Sequence, residues 1–221
     1  MMTTTHLNEP AAMRAAMVSS QLRPNAVSDQ RVVAAMASIA REDYLPRGAA
    51  ELAYRDTSIP LGAGRFANVP MATGRLLTEA RLEPGDRVLL IGAAGGYAAA
   101  VLATIATEVV AVESDPALAA LARTALAHAA RVRLVEGPLA AGEPTGAPYS
   151  VLIVDGAVAQ LPPALVEQVA IGGRVVTGLD DHGVTRLAAG RRTAGGFALQ
   201  PFADSDCAVL PGFAAAPRFR F

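Results

Sequence analysis

Along the first part of the chain, apolar residues recur at intervals of three or four positions, which is typical of one face of a helix. The spacing predicts two helices, one that ends at Pro24 and one that begins after Ser28 as its N-cap. A loop-rich stretch follows over 41–70, and a third helix is predicted over Met71–Ala80. Because a long loop inside a compact domain is often functional, this stretch is a candidate part of a site. The apolar positions of the first two helices are Met13, Met17, Val18, Val32, Val33, Met36 and Ile39.

From residue 87 the pattern changes to short apolar runs that alternate with helical stretches. The predicted strands are Arg87–Ile91, Val109–Val112, Val132–Val135, Val151–Val154 and Arg174–Thr177, the predicted helices are Gly96–Ala106, Pro116–Ala130 and Pro163–Ala170, and a final hairpin joins Val184–Leu187 to Phe197–Phe202. This alternation predicts a Rossmann-like α/β fold, with a mostly parallel sheet and a C-terminal antiparallel hairpin. We expect one compact domain, in which residues 1–80 form a helical and loop extension and residues 81–221 form the core.

Composition and charge narrow the classes of function. The net charge is -1 and lysine and arginine do not cluster, so the basic footprint of a nucleic-acid binder is missing. Cys207 is the only cysteine, and His6, His128 and His182 have no metal-ligand spacing, so we expect no intrachain disulfide and no metal. Residues 1–10 lack a basic region followed by an apolar run, and no apolar run of about 20 residues is uninterrupted. We therefore expect no signal peptide, no membrane span and a cytoplasmic location.

A glycine-rich segment after the first predicted strand carries the main chemical signal. It reads Gly92-Ala93-Ala94-Gly95-Gly96, and its glycines let the backbone approach a ligand, while the next helix offers free N–H groups. Glu113 follows Gly92 by about 20 positions, a spacing that suits a carboxylate bound to both ribose hydroxyls of an adenosine ligand. The segment lacks the G-x-G-x-x-G pattern, which disfavours a nicotinamide dinucleotide. The alternative is a plain tight turn, with Glu113 as a solvated strand end.

Several ordered segments give a more specific interpretation. They are Met17-Val18 with Gln21-Leu22, Arg31 to Met36 with Arg41-Glu42, Ala53-Tyr54-Arg55-Asp56 with Ile59-Pro60-Leu61-Gly62, Ala147-Pro148-Tyr149, and Leu161-Pro162 with Glu167-Gln168 and Gly172-Gly173-Arg174. With them the chain resembles the protein-L-isoaspartate O-methyltransferases from about Met17 to about Leu210. The resemblance implies S-adenosylmethionine as cofactor and methyl transfer to isoaspartyl carboxylates of damaged proteins, which is a repair reaction.

The resemblance also implies which residues form the site. The active-site loop of the family reads Gly-Gln-Thr-Ile-Ser-Gln-Pro, whereas this chain has Gly64-Arg65-Phe66-Ala67-Asn68-Val69-Pro70. Asn68 stands where the family places its active-site serine or threonine, and Asn68 and Asp56 are the candidate catalytic residues. Arg65, beside Gly64, is expected to be solvated, and the alternative is that it pairs with an acidic substrate. The candidate cofactor-binding residues are Gly92, Ala93, Ala94, Gly96, Tyr97, Glu113, Gly137, Pro138 and Asp155.

The chain departs from the family pattern at the site itself. Leu90 replaces an acidic residue and Ala94 replaces the middle glycine of Leu-Glu-Ile-Gly-x-Gly-x-Gly, while Pro138 replaces the aspartate of Gly-Asp-Gly. A carboxylate acceptor is already an anion and needs no general base, so the loss of the serine does not exclude catalysis. Three functions stay open: methylation of a protein or peptide carboxylate, methylation of a small molecule, and a non-catalytic binding or regulatory role. The sequence does not define an oligomeric state.

Overall fold

The computed structural model describes residues 9–213, and most of the segment in which we expect no signal peptide lies outside this range. The helices of the described residues are α1 (Glu9–Met17), α2 (Gln30–Ser38), α3 (Pro70–Glu79), α4 (Tyr97–Ala103), α5 (Pro116–Ala125) and α6 (Pro163–Val166). The strands are β1 (Ile59–Gly62), β2 (Arg65–Ala67), β3 (Arg87–Ile91), β4 (Glu108–Glu113), β5 (Val132–Glu136), β6 (Tyr149–Val158), β7 (Val169–Asp181), β8 (Val184–Arg191) and β9 (Leu199–Asp204). Among these residues no helix combines the length and the apolar character that a membrane crossing requires.

Strands β3 to β9 form one seven-stranded sheet in the order β5-β4-β3-β6-β7-β8-β9. The first five strands of this order pair in parallel, and β8 and β9 pair antiparallel at one edge. Strands β1 and β2 form a separate antiparallel hairpin. The predicted α/β class, with a mostly parallel sheet and antiparallel strands at its C-terminal end, is confirmed.

The central strand β3 shows why the apolar runs become parallel strands. Successive side chains of a strand point to opposite faces of the sheet, so a strand covered by helices on both faces must be apolar throughout. Val88 and Leu90 belong to one hydrophobic cluster, and Leu89 and Ile91 belong to the other. The sheet therefore separates two cores, one on each face.

The order of the strands creates a crevice at the carboxyl end of β3. The chain continues from β3 to β4 and β5 on one side and then places β6 on the other side of β3. Ligands of open α/β sheets bind at such a switch point. Ile91 pairs with Val154, so Gly92 and Asp155, the next residues of the two strands, border the crevice. Glu113 ends the other neighbouring strand, β4.

Several predicted bounds in the N-terminal part are wrong. The N-cap of α2 is Asp29 and not Ser28, because the Asp29 carboxylate accepts a hydrogen bond from the backbone N–H of Arg31 at 2.9 Å. The first helix ends at Met17, and a π-helical turn, Val18–Leu22, follows it before Pro24 is reached.

The structure also corrects four predictions further along the chain. Helix α5 ends at Ala125 instead of Ala130, and α6 ends at Val166 because Val169 already pairs with Tyr149 as the start of β7. Strand β6 runs on to Val158 through an irregular register, so Asp155 lies within the strand. The predicted loop 41–70 contains the β1–β2 hairpin.

Candidate active site

The glycine segment forms a fixed turn at the carboxyl end of β3. Gly92 has φ +81° and Gly96, the residue before α4, has φ +101°, values that side-chain-bearing residues rarely adopt. The N–H groups of Gly92 and Ala93 both donate to the carbonyl of Val112, at 3.1 and 3.0 Å. These bonds tie the turn to β4 and set its distance from the acid at the end of that strand.

Ala94 carries the backbone strain that a glycine would avoid. Its φ is +48°, in the left-handed region, which costs an alanine roughly 1 kcal/mol. In this conformation its backbone N–H donates to Oε2 of Glu113 at 2.7 Å. The alanine that replaces the middle glycine of the family pattern therefore adopts a left-handed conformation at a cost in stability.

Glu113 is a buried, preorganised carboxylate. Its side chain is 0% exposed, which rules out the alternative of a solvated strand end. Besides the bond from Ala94, Oε1 accepts hydrogen bonds from the backbone N–H groups of Ser114 and Asp115 at 2.8 and 2.9 Å. Three main-chain donors thus fix the carboxylate at the edge where the crevice opens.

Arg65 is the fourth partner of this carboxylate, and the prediction that it is solvated is wrong. Its Nη1 donates to Oε1 of Glu113, and its Nη2 donates to Oε2 at 3.0 Å. The side chain is 4% exposed, whereas that of the next residue, Phe66, is 42% exposed. The cause is the alternation of β2, which turns Arg65 and Ala67 inward and Phe66 outward.

Asn68 and Asp155 form a second polar contact near the glycine turn. The Asn68 amide donates to Oδ1 of Asp155 at 3.1 Å, and the Thr73 hydroxyl donates to the same oxygen at 2.8 Å. The side-chain oxygen Oδ1 of Asn68 accepts a hydrogen bond from the backbone N–H of Ala208 at 3.0 Å. Burial raises the pKa of the Asp155 carboxyl, and the hydrogen bonds from Thr73 and Asn68 oppose this shift. Asn68 therefore connects two parts of the chain.

Arg41 and Tyr97 lie beside Asn68 and Asp155. Arg41 was not predicted as a site residue. The buried Arg41 guanidinium donates to the carbonyls of Ala53 and Asn68, and lies 5.5 Å from the centroid of the Tyr97 ring. Burial lowers the pKa of Arg41 and raises that of Tyr97, whose hydroxyl is buried without a hydrogen-bond partner. The only sequence signal for Arg41 is its place in the Arg41-Glu42 segment of the resemblance.

These side chains enclose a small cavity. Its volume is about 20 Å³, roughly the room of one water molecule. Pockets that enclose a small molecule typically have roughly 300–1,000 Å³. Its lining includes Arg41, Arg65, Phe66, Asn68, Thr73, Gly92, Ala93, Ala94, Tyr97, Asp155 and Leu210. The predicted loop residues, Asn68 and Asp155 are thus brought together, and a ligand of adenosine size requires the cavity to open.

The remaining predicted residues lie around this cavity or away from it. Gly137 follows β5 and donates its N–H to the backbone carbonyl of Glu113 at 2.9 Å, so Gly137 and the exposed Pro138 stay at the same edge of the sheet. Asp56 lies in an exposed bend ahead of β1 and does not line the cavity. Leu90 is fully buried in the core, so the position of the missing acid does not face the site.

The chemistry of Glu113 fits the ribose of an adenosine ligand. The guanidinium of Arg65 places one N–H donor on each carboxylate oxygen. A vicinal diol presents two donors to the same pair of oxygens, and a guanidinium and a diol are in this respect equivalent partners. The glycine turn and the start of α4 lie beside this carboxylate, as an adenosine site requires.

The fold is a Rossmann-like methyltransferase architecture, and its switch point carries the candidate adenosine site. The family model described as "Protein-L-isoaspartate(D-aspartate) O-methyltransferase (PCMT)" matches residues 13–201 of this chain. The chain belongs to this family of protein-L-isoaspartate O-methyltransferases.

Relatives and solved structures agree with this membership. Protein-L-isoaspartate O-methyltransferase 1 of Rhodopseudomonas palustris (strain HaA2) is 41% identical over 187 residues, which are 83% of this chain and 76% of that protein. The protein-L-isoaspartate O-methyltransferase of Koribacter versatilis (strain Ellin345) is 36% identical over 200 residues, which are 90% of this chain and 89% of that protein.

Two solved structures share the fold. A protein-L-isoaspartate O-methyltransferase superposes with a TM-score of 0.76 at 22% identity, over 90% of this chain and 66% of that one. A putative enzyme of the same name from Plasmodium falciparum, in complex with S-adenosyl-L-homocysteine, superposes with a TM-score of 0.75 at 16% identity, over 89% and 97%. Methyltransferases of this family use S-adenosylmethionine, and the membership favours the methyltransferase interpretation over a non-catalytic role.

Proposed function

We propose that this chain is an S-adenosylmethionine-dependent O-methyltransferase that acts on isoaspartyl carboxylates of proteins. The observation that carries the proposal is the buried carboxylate of Glu113, held by three main-chain N–H groups beside the glycine turn. It offers two fixed acceptors to a ribose at the edge where α/β folds bind nucleosides. The membership in the family supplies the reaction and the class of acceptor.

The reaction requires no acid or base catalysis by side chains of the protein. When bound, the cofactor supplies a methyl group activated by a positive sulfonium. Glu113 and the glycine turn would hold the cofactor so that an oxygen of the acceptor carboxylate could take this methyl group, while the sulfur would keep the electron pair of the bond it loses. No proton moves, so the chain needs no general base. Its residues contribute alignment and the exclusion of water.

In this proposal the two parts of the chain have different tasks. Residues 81–213 form the cofactor core, where Gly137 and Pro138 border the adenosine next to Glu113. Residues 9–80 supply the cover of the site through the β1–β2 hairpin and the segment around Arg41. Asp56 orders the entry to that hairpin. Asn68 acts by holding the end of the hairpin on Asp155.

We propose the cytoplasm as the compartment. The support is the single cysteine, Cys207, which is buried and cannot form an intrachain disulfide, as is usual for proteins of reducing compartments.

The test separates cofactor binding from methyl transfer. The purified protein is titrated by calorimetry with S-adenosylmethionine and with S-adenosylhomocysteine, and both should bind. Methyl-labelled cofactor is then offered with an isoaspartyl peptide and with the same peptide carrying an ordinary aspartate, which is the matched control. We expect label only in the isoaspartyl peptide. Absence of heat at millimolar ligand would contradict the cofactor assignment, whereas binding without label in the isoaspartyl peptide would contradict the acceptor.

A further inference from the structure

Arg65 and a ribose require the same two atoms of the protein. Oε1 of Glu113 accepts hydrogen bonds from two backbone N–H groups and from Nη1, and Oε2 accepts one from Ala94 and one from Nη2. A carboxylate has about four lone-pair sites, so this set already saturates it. The diol of an adenosine ligand can bind both oxygens only after the guanidinium has left them.

Two of the nitrogen atoms of the Arg65 guanidinium form hydrogen bonds with Glu113, and the third forms none. Its Nε lies buried and has no hydrogen-bond partner. An unpaired buried donor reduces the net gain from an ion pair, because that group has lost its water without replacement. The ion pair between Arg65 and Glu113 therefore forms, but its net stabilisation is reduced by the unpaired Nε. A ligand that donates two hydrogen bonds to Glu113 can displace it.

The hairpin that carries Arg65 packs on the core through Ile59, Leu61 and Ala67, but it shares no hydrogen-bond ladder with the main sheet. Strands β1 and β2 pair with each other and form their own two-stranded sheet, outside the seven-stranded one. Its turn, Ala63-Gly64, is exposed. A segment that shares no ladder with the main sheet opens at a lower free energy than the sheet itself.

We propose that Arg65 is a built-in competitor of the cofactor: it occupies the ribose acceptors of Glu113, and S-adenosylmethionine binds by displacing its guanidinium into solvent. The proposal rests on the proposed function, since it names the regulation of the same site. It explains why the cavity between the hairpin and the glycine turn holds only about 20 Å³. It also implies a lower affinity for the cofactor, because the ion pair between Arg65 and Glu113 must break before the ribose binds.

The first test compares variants of Arg65 by calorimetry with S-adenosylhomocysteine. Arg65→Gln, which restores the residue of the family loop, should bind at least about tenfold more tightly than the unchanged protein. The matched control is Arg186→Gln, which removes an arginine from the exposed pair with Asp204 and should leave the affinity unchanged. In the background of Glu113→Gln, Arg65→Gln should gain less than threefold, because the two substitutions act on one interaction.

The outcomes of this comparison are distinct. Equal or weaker binding by Arg65→Gln, with the unchanged protein still binding, overturns the proposal and leaves the proposed function intact. Binding by Arg65→Gln alone supports it in its strongest form. If neither protein binds at millimolar ligand, the proposed function fails and the competitor role fails with it.

A second measurement uses the unchanged protein and does not depend on the stability of a variant. An arginine-selective dicarbonyl reagent is applied with and without saturating S-adenosylhomocysteine, and the modified peptides are quantified by mass spectrometry. A ligand ordinarily protects residues of its site. Here it should increase the modification of Arg65 severalfold, while that of the exposed Arg186 stays constant. Protection of Arg65 by the bound ligand would overturn the proposal.

Discussion

Replacing Gly95 by alanine tests the closest backbone approach in the site. A Cβ atom on Gly95 would lie 1.9 Å from the carbonyl oxygen of Tyr44, 2.8 Å from its carbonyl carbon and 3.0 Å from Cδ2 of Leu121. Two of these atoms belong to the backbone, so no rotamer change relieves the contact. Non-bonded carbon atoms prefer separations of about 3.5–4.0 Å, so the main chain must move by more than 1 Å or so.

The size of the effect follows from this geometry. Overpacking by a single methyl group usually costs about 1–3 kcal/mol, and a clash with backbone belongs at or beyond the upper end. For a chain of this length, 3 kcal/mol corresponds to a fall in melting temperature of about 6–12 °C. The displaced segment also carries the edge-to-face contact of Tyr44 with Tyr97, whose ring centroids are 5.9 Å apart. We therefore expect Gly95→Ala to weaken the binding of S-adenosylhomocysteine as well.

The assay is thermal and urea denaturation, with Gly48→Ala as the matched control. A Cβ on Gly48 meets no atom within 4 Å, and the backbone φ of Gly48 is outside the left-handed region. The same substitution there should be neutral or should stabilise by about 0.4–1 kcal/mol, because it restricts the unfolded chain. A melting temperature of Gly95→Ala within about 2 °C of the unchanged protein would refute the packing of Tyr44 on the glycine turn.

Three further predictions address single groups of the site. Ala94→Gly should raise the free energy of unfolding by about 0.5–1 kcal/mol in urea, since glycine removes the left-handed strain; a loss of stability would contradict this. Asp155→Asn keeps the acceptor oxygen for Asn68 and Thr73. Burial raises the pKa of Asp155 in the folded state, so the unchanged protein loses stability as pH rises from about 4 through the folded-state pKa. The variant does not titrate, so its free energy of unfolding relative to the unchanged protein should increase over this pH range. A difference in urea denaturation that does not depend on pH would contradict this prediction. Burial raises the pKa of Cys207 to about 12, so at pH 8 its thiolate is about a thousandfold scarcer than usual; rapid reaction of the folded protein with a disulfide reagent would contradict this.

The sequence predicts well those features that depend on local pattern. The strand Arg87–Ile91 is recognised because both of its faces are buried, which leaves a continuous apolar run. The place of Glu113 follows from strand length and spacing, because parallel neighbours end at the same edge of the sheet. The alanine at position 94 gives no sign by itself that φ is positive, and only the glycine of the family pattern at this position points to that conformation.

The surroundings of the site depend on contacts between distant segments, which the sequence does not display. Gly64-Arg65-Phe66 has the composition of an exposed turn, and only the register of β2 decides that Arg65 points inward and Phe66 outward. A shift by one residue would exchange the two faces. Asn68 and Asp155 are 87 positions apart, so their hydrogen bond follows from the topology of the sheet and from no local signal.

The β1–β2 hairpin is bound to the core through two acidic residues, Glu113 and Asp155, and these contacts determine how it can open. Asp155 is bound to Asn68, which also accepts the N–H of Ala208, so the chain just after β2 is fixed on both sides. Glu113 is bound to Arg65 at the start of β2, next to the exposed turn. Since one end of β2 is tied to the core and the other is held by a replaceable ion pair, release of Arg65 should swing the turn outward about Asn68 as a pivot. The Asn68–Asp155 hydrogen bond should then survive cofactor binding, because it lies at the pivot and not on the part of the hairpin that moves.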